Sequence, residues 1–185
     1  VIDDHSTDAT VSIAKQCGAK VVSRSLDGDY ASQRNFGLSK AKGDWVLFVD
    51  SDETVPEELK KEITEAVKTI DVNGFFVKRR DVMWGRALGY GETDSVRLLR
   101  LARKGKGTWV RPVHEVWSVP GPVATLETPL YHAPHPDVAH FLSDINCYST
   151  INAKHLYDTG VRVSWWRIAV YPVAKFFLNY ISCVS

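Results

Sequence analysis

Cysteine is scarce in this chain. Cys17, Cys147 and Cys183 are three in number, far apart, and form no CxxC pair. An odd, dispersed set excludes a disulfide framework and a structural zinc site, and it fits a reducing compartment. Charge of one sign is lacking too. Lys and Arg number 23 against 22 Asp and Glu, a net +1, so no global field draws in nucleic acid and any selectivity must be local. Internal repeats and low-complexity tracts are absent, and the residues from Val1 onward do not read as a signal peptide. The chain opens without an initiator Met, on Val1-Ile2-Asp3-Asp4, which reads as the end of a buried strand with its turn and predicts a preceding N-terminal piece. It stops at Ser185 inside an aromatic stretch, which predicts a natural C-terminus further on. The most apolar stretch, after Trp165, is interrupted by Arg167, Pro172 and Lys175, which argues against a membrane-spanning helix.

What is present suits a globular domain. Of 185 residues, 44% are hydrophobic and 24% charged, enough for one core-forming domain with a helical tail. Ser6-Thr7-Asp8 predicts an N-cap for a helix carrying Val11, Ala14 and Cys17, stopped at Gly18. A short strand is expected over residues 19–23 and a helix over 29–42. Trp45-Val46-Leu47-Phe48-Val49 reads as a central strand buried on both faces and ending at Asp50. Thr54 and Glu57 suggest a capping box around Pro56, with Leu59, Ile63, Ala66, Val67 and Ile70 on one helix face. Phe75-Phe76-Val77 follows as a strand, so residues 1–80 alternate as a mostly parallel, Rossmann-like α/β sheet. Strands are then expected over 95–101, 107–110, 113–119 and 125–131. Helices should fill 137–157 and 165–181, separated at Gly160.

Asp50-Ser51-Asp52 places two carboxylates just past the carboxyl end of a strand, where open α/β sheets bind ligands. Hard cations such as Mg²⁺ bridge one or two such carboxylates to substrate phosphates. A metal held there would neutralise charge building on a leaving diphosphate. The alternative is that the acids simply favour a helix N-terminus.

Three successive blocks closely resemble glycosyltransferase family 2 of the GT-A fold. They are Val1-Ile2-Asp3-Asp4-His5-Ser6-Thr7-Asp8-Ala9-Thr10, Gln33-Arg34-Asn35-Phe36-Gly37-Leu38, and Ala41-Lys42-Gly43-Asp44-Trp45-Val46-Leu47-Phe48-Val49-Asp50-Ser51-Asp52-Glu53. Later stretches, Arg97-Leu98-Leu99-Arg100, Gly105-Lys106-Gly107, Val113-His114-Glu115 and Leu130-Tyr131-His132, look like the bacterial subgroup that contains lipopolysaccharide core β-1,4-glucosyltransferases. The resemblance implies a GT-A mixed sheet flanked by helices over residues 1–134, its first strand missing, and a helical extension over 135–185.

It also implies roles. Asp3 or Asp4 would hold the base of a UDP-sugar, and Arg34 and Asn35 would line the donor site. Asp50 would lie near the ribose or sugar and Asp52 on a divalent cation, Mg²⁺ or Mn²⁺. His114, with Glu115 beside it, resembles a late histidine that completes the metal site. Inverting transfer needs a base to take the acceptor proton; the nearest match is Glu92-Thr93-Asp94, with Asp94 favoured and Glu92 as substitute. Arg97 and Arg100 alternate along one strand and face either the diphosphate or solvent. The expected partners are a nucleotide-sugar donor, a glycan or lipid-linked acceptor and a membrane surface, at the inner face of the cytoplasmic membrane in cell-envelope polysaccharide synthesis. Nucleic acid is not expected. The aromatic tail from Trp165, with Arg162, Arg167 and Lys175 interspersed, suits a headgroup boundary or a helix docked on the domain or dimerising.

Two rival functions remain. Asp50-Ser51-Asp52-Glu53-Thr54-Val55 also matches the first motif of haloacid-dehalogenase-type phosphatases, whose mechanism needs a downstream Lys and a second acidic pair. A non-catalytic nucleotide-sugar-binding module is the other, since fold alone does not decide chemistry.

Overall fold

The structure, a computed structural model, describes residues 1–89, 96–112 and 114–184, with the side chains of all these except 179 and 182–184. The elements run β1 (Ile2–Asp3), α1 (Thr10–Gln16), β2 (Val22–Ser23), α2 (Tyr30–Lys40), β3 (Trp45–Leu47), β4 (Glu53–Thr54), α3 (Glu57–Ala66), β5 (Gly74–Met83), β6 (Arg86–Ala87), β7 (Arg97–Arg103), β8 (Thr108–Val110), β9 (Val116–Ser118), β10 (Val123–His132), α4 (Val138–Asp158) and α5 (Trp165–Val184). The expected mixed sheet flanked by helices and followed by C-terminal helices is what forms. Strands β3, β7, β5, β10 and β4 are ordered in that sequence with β6 on β5, while β1–β2 and β8–β9 pair separately.

By compactness the chain divides into two units. The first holds Val1–Phe48, Ile70–Phe75 and Leu99–Ala124; the second holds Val49–Thr69, Phe76–Leu98 and Thr125–Ser185. In the first unit, β1 and β2 are parallel, Ile2 opposite Val22, and β3 is antiparallel to β7, Val46 opposite Ala102. The sheet is therefore less parallel than the alternating sequence suggests. Nor is Trp45–Leu47 central and fully buried: β3 ends the strand order among the described residues, its three side chains are half-buried, and Val49 is exposed. An uninterrupted apolar run looks the same on an edge strand roofed by aromatic rings as in a sheet centre.

Those rings form the first unit's core. Trp109 on β8 stacks on Trp117 of β9 with centroids 5.3 Å apart. Phe48 meets both edge-on, at 5.1 and 5.0 Å. Ala31 and Ala102 are buried in the same cluster, with Leu38, Val46, Leu99 and Val119 packed against it. Aromatic pairs in this geometry add roughly 0.5–1.5 kcal/mol beyond the area they bury.

In the second unit, β4 pairs antiparallel with the end of β10, Glu53 opposite His132, and Leu59, Val77, Leu126 and Leu130 are fully buried. Helix α3 keeps Leu59 inward as its spacing requires. Its expected capping box does not form, because Thr54 belongs to β4 opposite Tyr131 and Pro56 stands at the N-cap without a side-chain bond. Ile70 lies past the helix end and is exposed. Helix α1 likewise starts later than predicted: Ser6 is spent on the preceding turn, and Asp8 Oδ1 accepts from the Thr10 N–H at 2.9 Å. Asp29 and Asp137 do cap α2 and α4, accepting from Ser32 N and His140 N at 2.9 Å each.

Candidate functional site

In the first unit the β1 strand ends in two acids with different surroundings. Asp3 is buried and accepts from the Ser6 N–H at 3.3 and 3.4 Å and from Ser23 Oγ at 3.4 Å. The Ser6 bonds, helped by Ser23 and His5 against the opposing pull of desolvation, hold its carboxyl below the usual range. Asp4 is exposed, and its Oδ1 accepts from Leu26 N at 2.9 Å. Asp3 thus builds the turn, and Asp4 is presented at its surface.

Arg34 and Asn35, adjacent on α2, are engaged within the same unit. Arg34 Nε lies 2.8 Å from Glu115 Oε1, and its guanidinium sits over the Trp109 ring at 4.8 Å. Asn35 Nδ2 donates to the Trp109 carbonyl at 2.9 Å, while its Oδ1 accepts from Trp109 N at 2.9 Å and Thr108 Oγ at 3.2 Å. Asn35 therefore completes the open side of β8 as another strand would. His114 is exposed and held in a left-handed backbone at φ 53°.

In the second unit the acidic turn closes on itself. Glu53, buried, accepts from Asp50 N through Oε2 at 2.8 Å, and its own N–H donates to the Asp50 carbonyl at 3.0 Å. That reciprocal pair fixes the loop and leaves the Asp52 side chain 39% exposed. The Asp52 carbonyl accepts from Ala133 N at 2.9 Å, which fastens the turn to the end of β10.

There His132 stands between two carboxylates. Its Nε2 is 3.3 Å from Asp52 Oδ2 and its Nδ1 is 2.8 Å from Asp81 Oδ1. Asp81, buried on β5, also lies 3.1 Å from Arg79 Nε, an ion-pair distance at which that N–H makes no hydrogen bond. The hydrogen bond from His132 is the main reason the Asp52 carboxyl lies below its ordinary range, against a smaller opposing effect of burial. For His132, burial disfavours the cation, but the bonds to Asp52 and Asp81 outweigh it and raise the imidazole's pKa.

His132 and Asp81, with Arg79 beside Asp81, form a cluster with Asp52 that no motif in the sequence singles out. The block Leu130-Tyr131-His132 carries part of the family resemblance. The available signal was position, since His132 closes a strand just as Asp50 follows one. Arg97 stands exposed at the start of β7 and Arg100 is buried. Glu92 and Asp94 lie outside the described residues.

The donor set can be tested against the implied cation. Among the described residues no group of three or more His, Cys, Asp or Glu side chains is arranged to hold a metal ion, so an all-protein cage is not built. Asp52 offers an ionised, partly exposed carboxylate, with the Nε2 face of an imidazole whose other nitrogen is steered by Asp81. This fits a cation completed by phosphate oxygens and water, with the carboxylate–histidine support typical of metal ligands.

A mixed sheet flanked by helices with acids past its strand ends is the arrangement of a GT-A fold. The sequence matches the model of glycosyl transferase family 2 over residues 1–115, and the chain belongs to that family. The match runs through Asp50-Ser51-Asp52 and decides against the phosphatase reading of that motif. An uncharacterized glycosyltransferase of Rickettsia felis is 24% identical over 96% of this chain and 70% of its own length. The lipopolysaccharide core biosynthesis glycosyltransferase LpsC of Rhizobium meliloti is 28% identical over 97% of this chain and 70% of its own. Among solved structures, S. aureus TarS 1-349 in complex with UDP superposes with a TM-score of 0.55 at 18% identity, over 82% of this chain. At that identity it shows the fold alone. The chain spans about half of that structure, 54%.

Proposed function

We propose that the protein transfers a sugar, with inversion, from a nucleotide-diphosphate donor to a glycan or lipid-linked acceptor in cell-envelope polysaccharide synthesis, at the inner face of the cytoplasmic membrane. A UDP-sugar is the first donor to test. The observation that carries this reading is Asp52, ionised and partly exposed at a strand-end turn, with His132 against it and Asp81 behind. The name of LpsC and the UDP and UDP-GlcNAc bound to TarS are consistent with it.

In this reading Asp52 and His132 would hold a Mg²⁺ or Mn²⁺ ion, with Asp50 near the donor's ribose or sugar. A cation in that place supplies Lewis-acid stabilisation of the leaving diphosphate. The chain's own residues do the rest. Asp81 fixes the imidazole's orientation, Glu53 keeps the turn rigid, and Asp4, the exposed acid after β1, offers an acceptor to the imide N–H of a uracil. Arg34 and Asn35 act through Trp109 by building the wall of the first unit. Asp94 or Glu92 takes the proton from the acceptor hydroxyl as its oxygen bonds to the anomeric carbon and the diphosphate leaves.

The test is thermal unfolding of the full-length protein with UDP, other nucleotides and nucleotide-sugars, each with and without Mn²⁺ or Mg²⁺. A ligand present at about 100 times its Kd adds about 2.7 kcal/mol of stability. UDP is expected to raise Tm only when metal is present, and Asp52→Asn to abolish the rise. Metal-dependent stabilisation without any sugar transfer would favour the binding module; no nucleotide raising Tm under any condition would remove the donor site altogether.

A further inference from the structure

We propose that α5 is an interfacial helix that seats the protein on an anionic phospholipid bilayer, its aromatic arc among the acyl chains and its cations at the headgroups. The inference deepens the membrane location proposed above and rests on it only for the side of the membrane. Its test reads lipid binding rather than sugar transfer, so either can fail without the other.

Helix α5 spans 20 residues and presents its large apolar side chains to solvent, from Trp165 at 80% exposure to Trp166 at 52%. At about 100° per residue, Trp165, Phe176, Tyr180, Val173, Trp166 and Phe177 fall on one continuous arc. Arg167 and Lys175 fall outside it, on a side that also carries the exposed Tyr171, Leu178 and Ile168. Ring contacts within α5 run along the arc: Phe176 is edge-on to Phe177 at 5.6 Å and stacked on Tyr180 at 6.3 Å. A water-facing arc of this width on one helix is far more apolar surface than a soluble monomer ordinarily leaves open.

Charge identifies the occupant. From Thr159 onward the chain carries Arg162, Arg167 and Lys175 and no Asp or Glu, although the whole chain is nearly neutral. Arg167 lies beside the Trp166 ring at 5.7 Å, and Arg162 beside Tyr157 at 5.5 Å, so cation and indole or phenol meet where a headgroup layer offers phosphate next to hydrocarbon. A protein groove would select shape, and a second copy of this chain would bring the same positive charge against itself. An anionic bilayer satisfies both the arc and the cations. Among the described residues no helix is long and apolar enough to cross a membrane, and Pro172 lies within α5, so the helix lies in the surface.

Flotation of the full chain with phosphatidylglycerol/phosphatidylethanolamine vesicles, compared with phosphatidylcholine vesicles, tests this. Binding is expected to the first and not the second. Each basic side chain near an anionic surface contributes about 1 kcal/mol, so Arg162→Gln/Arg167→Gln should weaken binding roughly thirtyfold. Both side chains are exposed, so the variant leaves the core intact. Lipids brominated high in the acyl chain should quench tryptophan fluorescence, and Trp165→Phe/Trp166→Phe should lose most of that quenching while still floating. Equal binding to neutral vesicles, no effect of the charge variant, or no flotation at all would overturn the proposal. So would a lipid-free dimer that Phe176→Ser/Phe177→Ser dissociates in a protein that ignores vesicles.

Discussion

His132 places its two ring nitrogens against two different carboxylates, Nε2 3.3 Å from Asp52 Oδ2 and Nδ1 2.8 Å from Asp81 Oδ1. The acid that the sequence makes conspicuous is thus backed by a histidine and an acid that it does not. Asp52 belongs to a turn that Glu53 closes, whereas Asp81 lies buried in a strand with Arg79 beside it. The partly exposed acid is available to a ligand, and the buried one orients the ring.

Removing Asp81 tests that division of labour. Support of a metal-ligating histidine by a carboxylate is worth about 10–100-fold in metal affinity or activity. Asp81→Ala is expected to raise, within that range, the Mn²⁺ concentration needed for UDP to stabilise the protein. Asp81→Asn, which keeps an acceptor for Nδ1–H, should recover part of the loss. A Mn²⁺ titration of Tm at saturating UDP measures both variants, and an unchanged midpoint in Asp81→Ala would show that the imidazole needs no support.

Acid stability provides a second measurement. Burial raises the pKa of Glu62, but the bonds that its carboxylate accepts from Glu127 N at 2.7 Å and Thr128 N at 2.9 Å outweigh burial and set it below the ordinary 4.5. A group with a lowered folded pKa stabilises the fold above its unfolded pKa, and that contribution is lost as pH falls through the folded value. Glu62→Gln should therefore cost about 1 kcal/mol near neutrality, since the roughly 1.5–3 kcal/mol of a hydrogen bond to a charged group is cut by solvent screening at this partly open site. The deficit should shrink below pH 4.5 and disappear once the wild-type carboxylate is protonated. Urea unfolding at several pH values checks it; a deficit constant across that range would place the loss in packing and not in charge.

Much of the fold was legible because local chemistry dictated it. Asp29 and Asp137 cap helices where Asp precedes a helical run, and Gly160 turns the chain between α4 and α5 at φ 81°. The motif at Asp50–Asp52 was legible for the same reason, as a short pattern at a strand end. What could not be read was long-range. Thr54 looks like a helix cap until β10 arrives to pair with it, and Trp45–Leu47 looks central until the strand order puts β3 at its end among the described residues. His132 and Asp81 lie 51 positions apart, so the strand-end position of His132 hints at a site without telling which acid meets it. Arg34 and Asn35 matched a family block, but only the fold shows that their partners are Glu115 and the Trp109 backbone.

Asn35 supports a third prediction. Its side chain satisfies both the N–H and the C=O of Trp109, and each buried backbone group left without a partner costs about 1–3 kcal/mol. Asn35→Ala should lower unfolding free energy by about 2–4 kcal/mol, allowing for partial access of water. Asn35→Asp keeps the acceptor but sets a carboxylate oxygen against the Trp109 carbonyl, so it should be destabilised at least as much as the Ala variant. Chemical denaturation gives the values, and a loss under about 0.5 kcal/mol in the Ala variant, the level of an ordinary surface substitution, would mean that β8 holds without this bridge.

The stacked tryptophans depend on a residue without a side chain. A Cβ at Gly107 would lie 2.5 Å from the Ser118 carbonyl oxygen, 2.6 Å from Val119 Cγ2 and 3.0 Å from Trp117 Nε1, so backbone of β9 must move to admit it. The β8–β9 register pairs Trp109 with Trp117, and the displacement passes directly into the ring stack under Phe48. Overpacking a fitted site costs about 1–3 kcal/mol, and Gly107→Ala is expected near the upper end because the obstacle is a carbonyl and not a flexible side chain. Gly105 provides the control. Nothing lies within 4 Å of a Cβ there, but its φ is +79°, so Gly105→Ala should cost only the left-handed penalty of about 1–2 kcal/mol and leave the rings in place. Urea unfolding gives the two costs, and near-ultraviolet circular dichroism reports the tryptophan stack. Both variants should be destabilised, but only Gly107→Ala should alter the aromatic signal of the native state; an unaltered signal there would mean that the pair of strands can part without disturbing the tryptophans.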